Sequence, residues 1–120
     1  MKRDQKLFIT DIYESIVLIE KYLGKMKFED FSIDFAIRDA VAMRFAIIGE
    51  AAKKVSSALR GKHKDIPWKY MCGLRDMIIH EYFGIDGKKV WKTAKEDLPR
   101  LKIQIKAVLG EINKEKLGKN

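Results

Sequence analysis

Two histidines, one cysteine and two prolines are all that the 120 residues contain of those three types. Cys72 has no second thiol to close an internal disulfide, and with only His63 and His80 as soft companions it argues against a structural zinc site. No uninterrupted apolar run approaches the roughly 18 residues of a membrane span. Met1 to Lys6 are basic, yet neither a uniform apolar segment nor a small-residue cleavage site follows, which argues against a secretory signal. No stretch of five or more alternating residues bounded by turn signals points to a strand. Internal repeats and low-complexity blocks are also missing. The expectation is a reduced, cytoplasmic protein that needs no metal or cofactor and does not associate with membranes.

What is present is helical periodicity. Hydrophobic residues make up 47% and charged residues 35% of the chain, an ordinary globular balance. The length suits one domain, residues 1–120, with residues 114–120 expected to fray. Phe8, Ile12, Ile16, Ile19 and Leu23 recur at spacings of three and four, one apolar helix face, which Gly24 can end. Ile9, Tyr13 and Val17 widen that face. Ser32 or Asp34 can cap a second helix, with the stripe Val41, Phe45, Ile48, Ala52, Val55 and Leu59, expected to run unbroken to Arg60. Beside that stripe lie the small residues Ala42, Ala46 and Gly49, where another backbone can approach, within the chain or from a second copy. Pro67 opens a third, shorter or broken helix reaching Tyr82. Asp86 is the candidate cap for the last helix, with the stripe Trp91, Ala94, Leu98, Leu101, Ile105, Val108 and Ile112. Pro99 interrupts that stripe and should kink the helix. The predicted fold is all-α: an up-and-down bundle of four main helices with short helical segments, paired as a homodimer.

The net charge is +8 and the pI about 9.6. Between residues 53 and 69, six bases (Lys53, Lys54, Arg60, Lys62, Lys64 and Lys69) face the single acid Asp65. Such a segment is either a solvated turn or a path that steers phosphate. From it we single out Lys53, Lys54 and Lys69 as RNA-binding candidates. His63, within that segment, is expected to be exposed and inert. Trp68 and Trp91 are expected to anchor the core.

The chemically dense stretch is Gly73 to Tyr82. Arg75 offers a permanent cation, His80 a group that titrates near neutrality, and Tyr82 a phenol. At about 100° per residue Asp76 and His80 share a helix face, whereas Arg75 and His80 lie about 140° apart. Two chains paired along this helix bring both imidazoles and both guanidiniums to one phosphate. One imidazole can then take the 2′-hydroxyl proton while the other protonates the departing 5′-oxygen. Guanidinium donors match the oxygens of the pentavalent phosphorus. Asp76 can orient His80, and Tyr82 can donate to phosphate or stack on a base. The same cluster is also compatible with a buried hydrogen-bond network. Glu50 is expected to pair with Arg75 or another base.

Arg75-x4-His80-x-Tyr82 resembles the signature of HEPN domains, specifically the HepT-like toxin branch. Arg38-Asp39, Arg44, Ile48-Gly49-Glu50-Ala51-Ala52, Ile66-Pro67-Trp68, Gly73-Leu74-Arg75-Asp76 and Val90-Trp91 fit the same branch. The likeness spans about residues 5 to 112. It implies an all-α dimer and a metal-independent endoribonuclease that uses Arg75 and His80 and leaves 2′,3′-cyclic phosphate ends. It also implies a type VII-like toxin–antitoxin pair, whose partner is a minimal nucleotidyltransferase that attaches AMP to Tyr82. The alternative is a non-catalytic helical dimer that binds nucleotide or nucleic acid, or docks the nucleotidyltransferase.

Overall fold

The computed structural model describes residues 4–82 and 87–118, with the side chains of residues 81, 82 and 116–118 outside the description. Every regular element among the described residues is helical. Asp4 accepts a hydrogen bond from the Lys6 amide (3.0 Å) and starts α1, Gln5–Leu23. Gly24 ends it at φ 49, with its N–H donating to the Glu20 carbonyl. Phe8, Ile12, Ile16, Ile19 and Leu23 are buried as their spacing predicts, and Ile9 of the widened flank is buried with them.

A short helix, α2 (Phe28–Ile33), occupies what the sequence suggests is a mere connection, and buries Phe31. Asp34 then caps α3, Phe35–Lys54, by accepting from the Ile37 amide at 3.0 Å. The expected continuation to Arg60 does not occur. Val55 is extended, and Ser56 caps a separate helix α4, Ser57–Lys62. Three side-chain hydrogen bonds, one of them long-range, explain the break. The Ser56 amide donates to Gln5 Oε1 (2.7 Å), and Arg60 donates to the carbonyls of Ala52 (2.6 Å) and Val55 (3.2 Å). A charged side chain thus serves carbonyls that the next helical turn would otherwise satisfy.

Pro67 precedes α5, Trp68–Cys72, and α6 follows as Leu74–Tyr82, so the third helix is broken, at Gly73. Gly87, at φ 66, precedes α7 (Lys88–Lys92) and makes no side-chain cap; Asp86, the expected cap, lies outside the described residues. A π-helical turn, Thr93–Asp97, joins α7 to α8, Leu98–Gly118. Pro99 sits two residues past this turn, where widening from i→i+4 to i→i+5 bonding accommodates its missing donor. The last helix extends to Gly118 among the described residues.

In the bundle α1 packs between α3 and α8, while α5 and α6 pack on α3. Ile12, Ile16, Ile19, Val41, Phe45, Ile48, Leu98, Ile105 and Val108 fill the centre with no exposed surface. Burial of each such side chain contributes about 1.5–3 kcal/mol relative to solvent. Trp68 is buried and its Nε1 donates to the His63 carbonyl (2.9 Å); Trp91 is half-buried against Phe28 and Phe31. No helix of the described residues is long and apolar enough to cross a membrane. The arrangement leaves one side of α6 facing outward, carrying most of the motif.

Candidate active site

The site is built by the way α6 meets α3. Gly73 closes α5 by donating to the Lys69 and Tyr70 carbonyls, and its own carbonyl accepts from the Met77 amide (2.9 Å) to begin α6. The buried residues Leu74 and Ile78, one turn apart, turn toward the core. Arg75, Asp76, Ile79 and His80 are left exposed. Burial of the apolar pair therefore fixes which face of the helix meets solvent.

A second constraint sets how closely the helix sits. A Cβ built on Gly49 would lie 2.8 Å from the Arg75 amide nitrogen, 2.9 Å from Arg75 Cβ and 3.3 Å from the Cys72 carbonyl. Only a residue without a side chain allows this approach of α3 to the start of the motif helix. The neighbouring Glu50 then receives Arg75 Nε at 3.1 Å through Oε1, as expected for this carboxylate. The same oxygen lies 3.8 Å from Lys53 Nζ. Both Arg75 and Glu50 are about half exposed, at 44% and 48%, so this pair adds little to stability. Its consequence is orientation: a carboxylate on Nε leaves the Nη fork as the edge that can meet a phosphate.

His80 stands five residues beyond Arg75 on the same exposed ridge, and Asp76 one turn before His80. Their helical angles spread that ridge into a broad face, with Arg75 and His80 at its two edges about 140° apart. Tyr82 closes α6, and its side chain is outside the described residues. Among the described residues no group of three or more His, Cys, Asp or Glu side chains is arranged to hold a metal ion.

The basic segment is partly consumed by structure. Arg60 is spent on the end of α3, Lys62 pairs with Glu115 (3.9 Å), and His63 Nε2 lies 3.1 Å from Glu111 Oε2. His63 is therefore not the exposed residue that its charged neighbours suggest; its side chain is 12% exposed and it pins the segment to α8. Lys53, Lys54, Lys64 and Lys69 stay on the surface, with Lys54 over the Phe8 ring. Lys53 is tied to the motif through Glu50. The fit of Gly49 against Arg75 is the feature sequence reasoning located without its partner. Its signal was the small-residue stripe, which does not say which helix it receives.

The family model described as "Ribonuclease HepT-like" matches residues 12–108, and the chain belongs to that family. It is 45% identical over 102 residues to "Probable ribonuclease HepT" of Thermococcus cleftensis, covering 85% of this chain and 93% of that protein. It is 40% identical over 111 residues to "Putative RNase MJ1216" of Methanocaldococcus jannaschii, covering 92% of each. A further relative from that organism, "Gamma-glutamylcyclotransferase and putative RNase MJ0434", is 40% identical over 119 residues, which are 99% of this chain and 54% of that protein. No solved structure matches the chain.

The Gly49 contact makes two glycine substitutions opposite in effect. Gly49→Ala must push α6 from α3 and is expected to lower stability by about 1–3 kcal/mol. Gly110, which has nothing within 4 Å of its built Cβ, lies in α8. Gly110→Ala should instead raise stability by about 0.5–1 kcal/mol. Thermal denaturation of the two variants checks the contrast; equal behaviour would contradict the close approach.

Proposed function

We propose that the protein is a metal-independent endoribonuclease, with Arg75 and His80 as its catalytic residues. The observation that carries this reading is the exposed motif helix, where Glu50 holds Arg75 by Nε and His80 follows on the same ridge. The family of its relatives supports the substrate class.

The reaction needs two proton transfers. A neutral imidazole takes the proton of a ribose 2′-hydroxyl, whose oxygen attacks the adjacent phosphorus. The bond from phosphorus to the 5′-oxygen breaks, and that oxygen receives a proton from a second, protonated imidazole. The products are a 2′,3′-cyclic phosphate and a 5′-hydroxyl. The Nη fork of Arg75 binds the non-bridging oxygens, where negative charge grows in the transition state. Asp76, one turn from His80, orients the ring. Lys53, Lys54 and Lys69 draw the RNA backbone toward the ridge.

One chain carries one such imidazole, so two copies are needed at a single phosphate. The surroundings of the motif support a homodimer on this face. Ile79 is 46% exposed beside His80, Met43 is 59% exposed on α3, and a cavity of about 260 Å³ is lined by Met43, Ala46, Ile47 and Glu50 among others. Large apolar side chains around a charged centre suit a self-complementary two-fold contact.

In this reading the nuclease is a toxin, silenced by a minimal nucleotidyltransferase antitoxin. The Tyr82 phenol oxygen attacks the α-phosphorus of ATP, pyrophosphate leaves, and the phenol proton passes to a base. The resulting phosphodiester puts negative charge and bulk two residues from His80 and competes with RNA for Arg75.

With EDTA present, His80→Ala and Arg75→Ala should each lose RNA cleavage by about a hundredfold or more. The active wild type should sediment at twice the chain mass. Cleavage equal to wild type in either variant, or products without cyclic phosphate ends, would overturn the assignment. Co-expression with the nucleotidyltransferase should add one or more AMP masses to the Tyr82 peptide; an unmodified peptide would remove the antitoxin mechanism.

A further inference from the structure

The beginning of α3 carries an exposed aromatic residue that the catalytic reading leaves unused. Phe35 is 67% exposed although it opens a 20-residue helix. The Arg38 guanidinium lies over its ring, 5.2 Å from the centroid, and is anchored by Nη1 donating to the Ser32 carbonyl at 2.9 Å. A cation fixed against one face leaves the opposite face of the ring for another planar group. Beside it is an open surface hollow of about 430 Å³ lined by Met26, Asp30, Ile33, Asp34 and Phe35.

The chemistry of this hollow is mixed in a particular way. Met26, Ile33 and Phe35 supply apolar walls. Asp30 and Asp34 each commit one carboxylate oxygen to a backbone amide, of Lys27 and Ile37 respectively, which leaves the other for a further donor. Lys25 and Lys27, both exposed, flank Met26. Stacking surface, carboxylate acceptors and flanking cations together match a nucleotide whose base carries an amino group.

Position links this hollow to the motif. Phe35, Arg38, Ala42, Phe45 and Gly49 follow one another at spacings of three and four, so they form one stripe along α3. Gly49 meets Arg75 at one end of it, and Gly87, the first described residue after α6, lies against Arg38 at the other. Thus α6 runs antiparallel to α3, with His80 toward the Phe35 end. Fourteen residues of helix place Phe35 about 20 Å from the Gly49 contact. A short single strand spans that distance.

We propose that this hollow is a base-binding subsite for single-stranded RNA, with Phe35 as stacking platform and Asp30 and Asp34 as acceptors for an exocyclic amino group. The proposal rests on the ribonuclease reading for its substrate and adds to it a preference for amino-bearing bases. Cytosine and uracil test this cleanly, since they share a ring size and differ at the amino position.

The probes are fluorescein-labelled C8 and U8 RNA, titrated by anisotropy into His80→Ala protein, which does not consume them. C8 should bind about tenfold tighter than U8. Adding Phe35→Ala should weaken C8 about tenfold and bring it level with U8. Phe35→Trp should keep C8 affinity, with indole fluorescence quenched on binding, and Asp30→Asn, which can still cap, should reduce the C8 preference. Equal binding of the two RNAs, or undiminished C8 binding by the Phe35→Ala protein, would overturn the subsite. So would conversion of a dimer to a monomer by Phe35→Ala, because a second copy would then cover the ring. Cleavage by wild type is measured separately. Intact C8 preference without cleavage would reject the nuclease and keep the subsite.

Discussion

The approach of α3 to α6 at Gly49 is the constraint on which the site depends. It is a contact between a hydrogen and a backbone, worth little energy in itself, and it decides where a guanidinium begins. With the Arg75 amide and Cβ seated against Gly49, the next residue of α3, Glu50, is at the right distance to take Nε. Leu74 and Ile78 hold the rotation of α6 by burial, so the position and the face of the motif are fixed by different forces. Packing supplies the energy, and the exposed ion pair supplies direction.

The long helices were legible because their apolar residues repeat at helical spacing and nothing in the tertiary structure opposes that pattern. Phe8 to Leu23 and Ala94 to Val108 fill the core as their periodicity requires. The stripe of the second helix persists beyond its break, with Val55 buried and Leu59 packed against the core from a different element. Periodicity is thus preserved across a capped interruption, and hydrophobic spacing alone does not reveal it. What breaks the helix is Gln5 reaching a backbone amide fifty-one residues away and Arg60 folding back on two carbonyls. Both are long-side-chain contacts with no sequence signature.

Charge was the less readable layer for the same reason. Six bases in one segment suggest a uniform phosphate path, yet the fold gives two of them, Arg60 and Lys62, partners within the chain, and ties the intervening His63 to Glu111. A formal count treats every cation as available, whereas a folded chain spends some of them on helix ends and ion pairs. Glu50 was a foreseeable partner for Arg75 from residue types alone. That the glycine before it receives the motif helix required the structure.

The central claim is that Glu50 orients the guanidinium through Nε before any substrate arrives. Nitrogen-15 NMR of the Arg75 Nε–H group tests it most directly. A resolved Arg75 signal with slowed exchange against water is expected, shifted and fast-exchanging in Glu50→Gln. An Nε–H that exchanges as rapidly as a free arginine in the wild-type protein would contradict it.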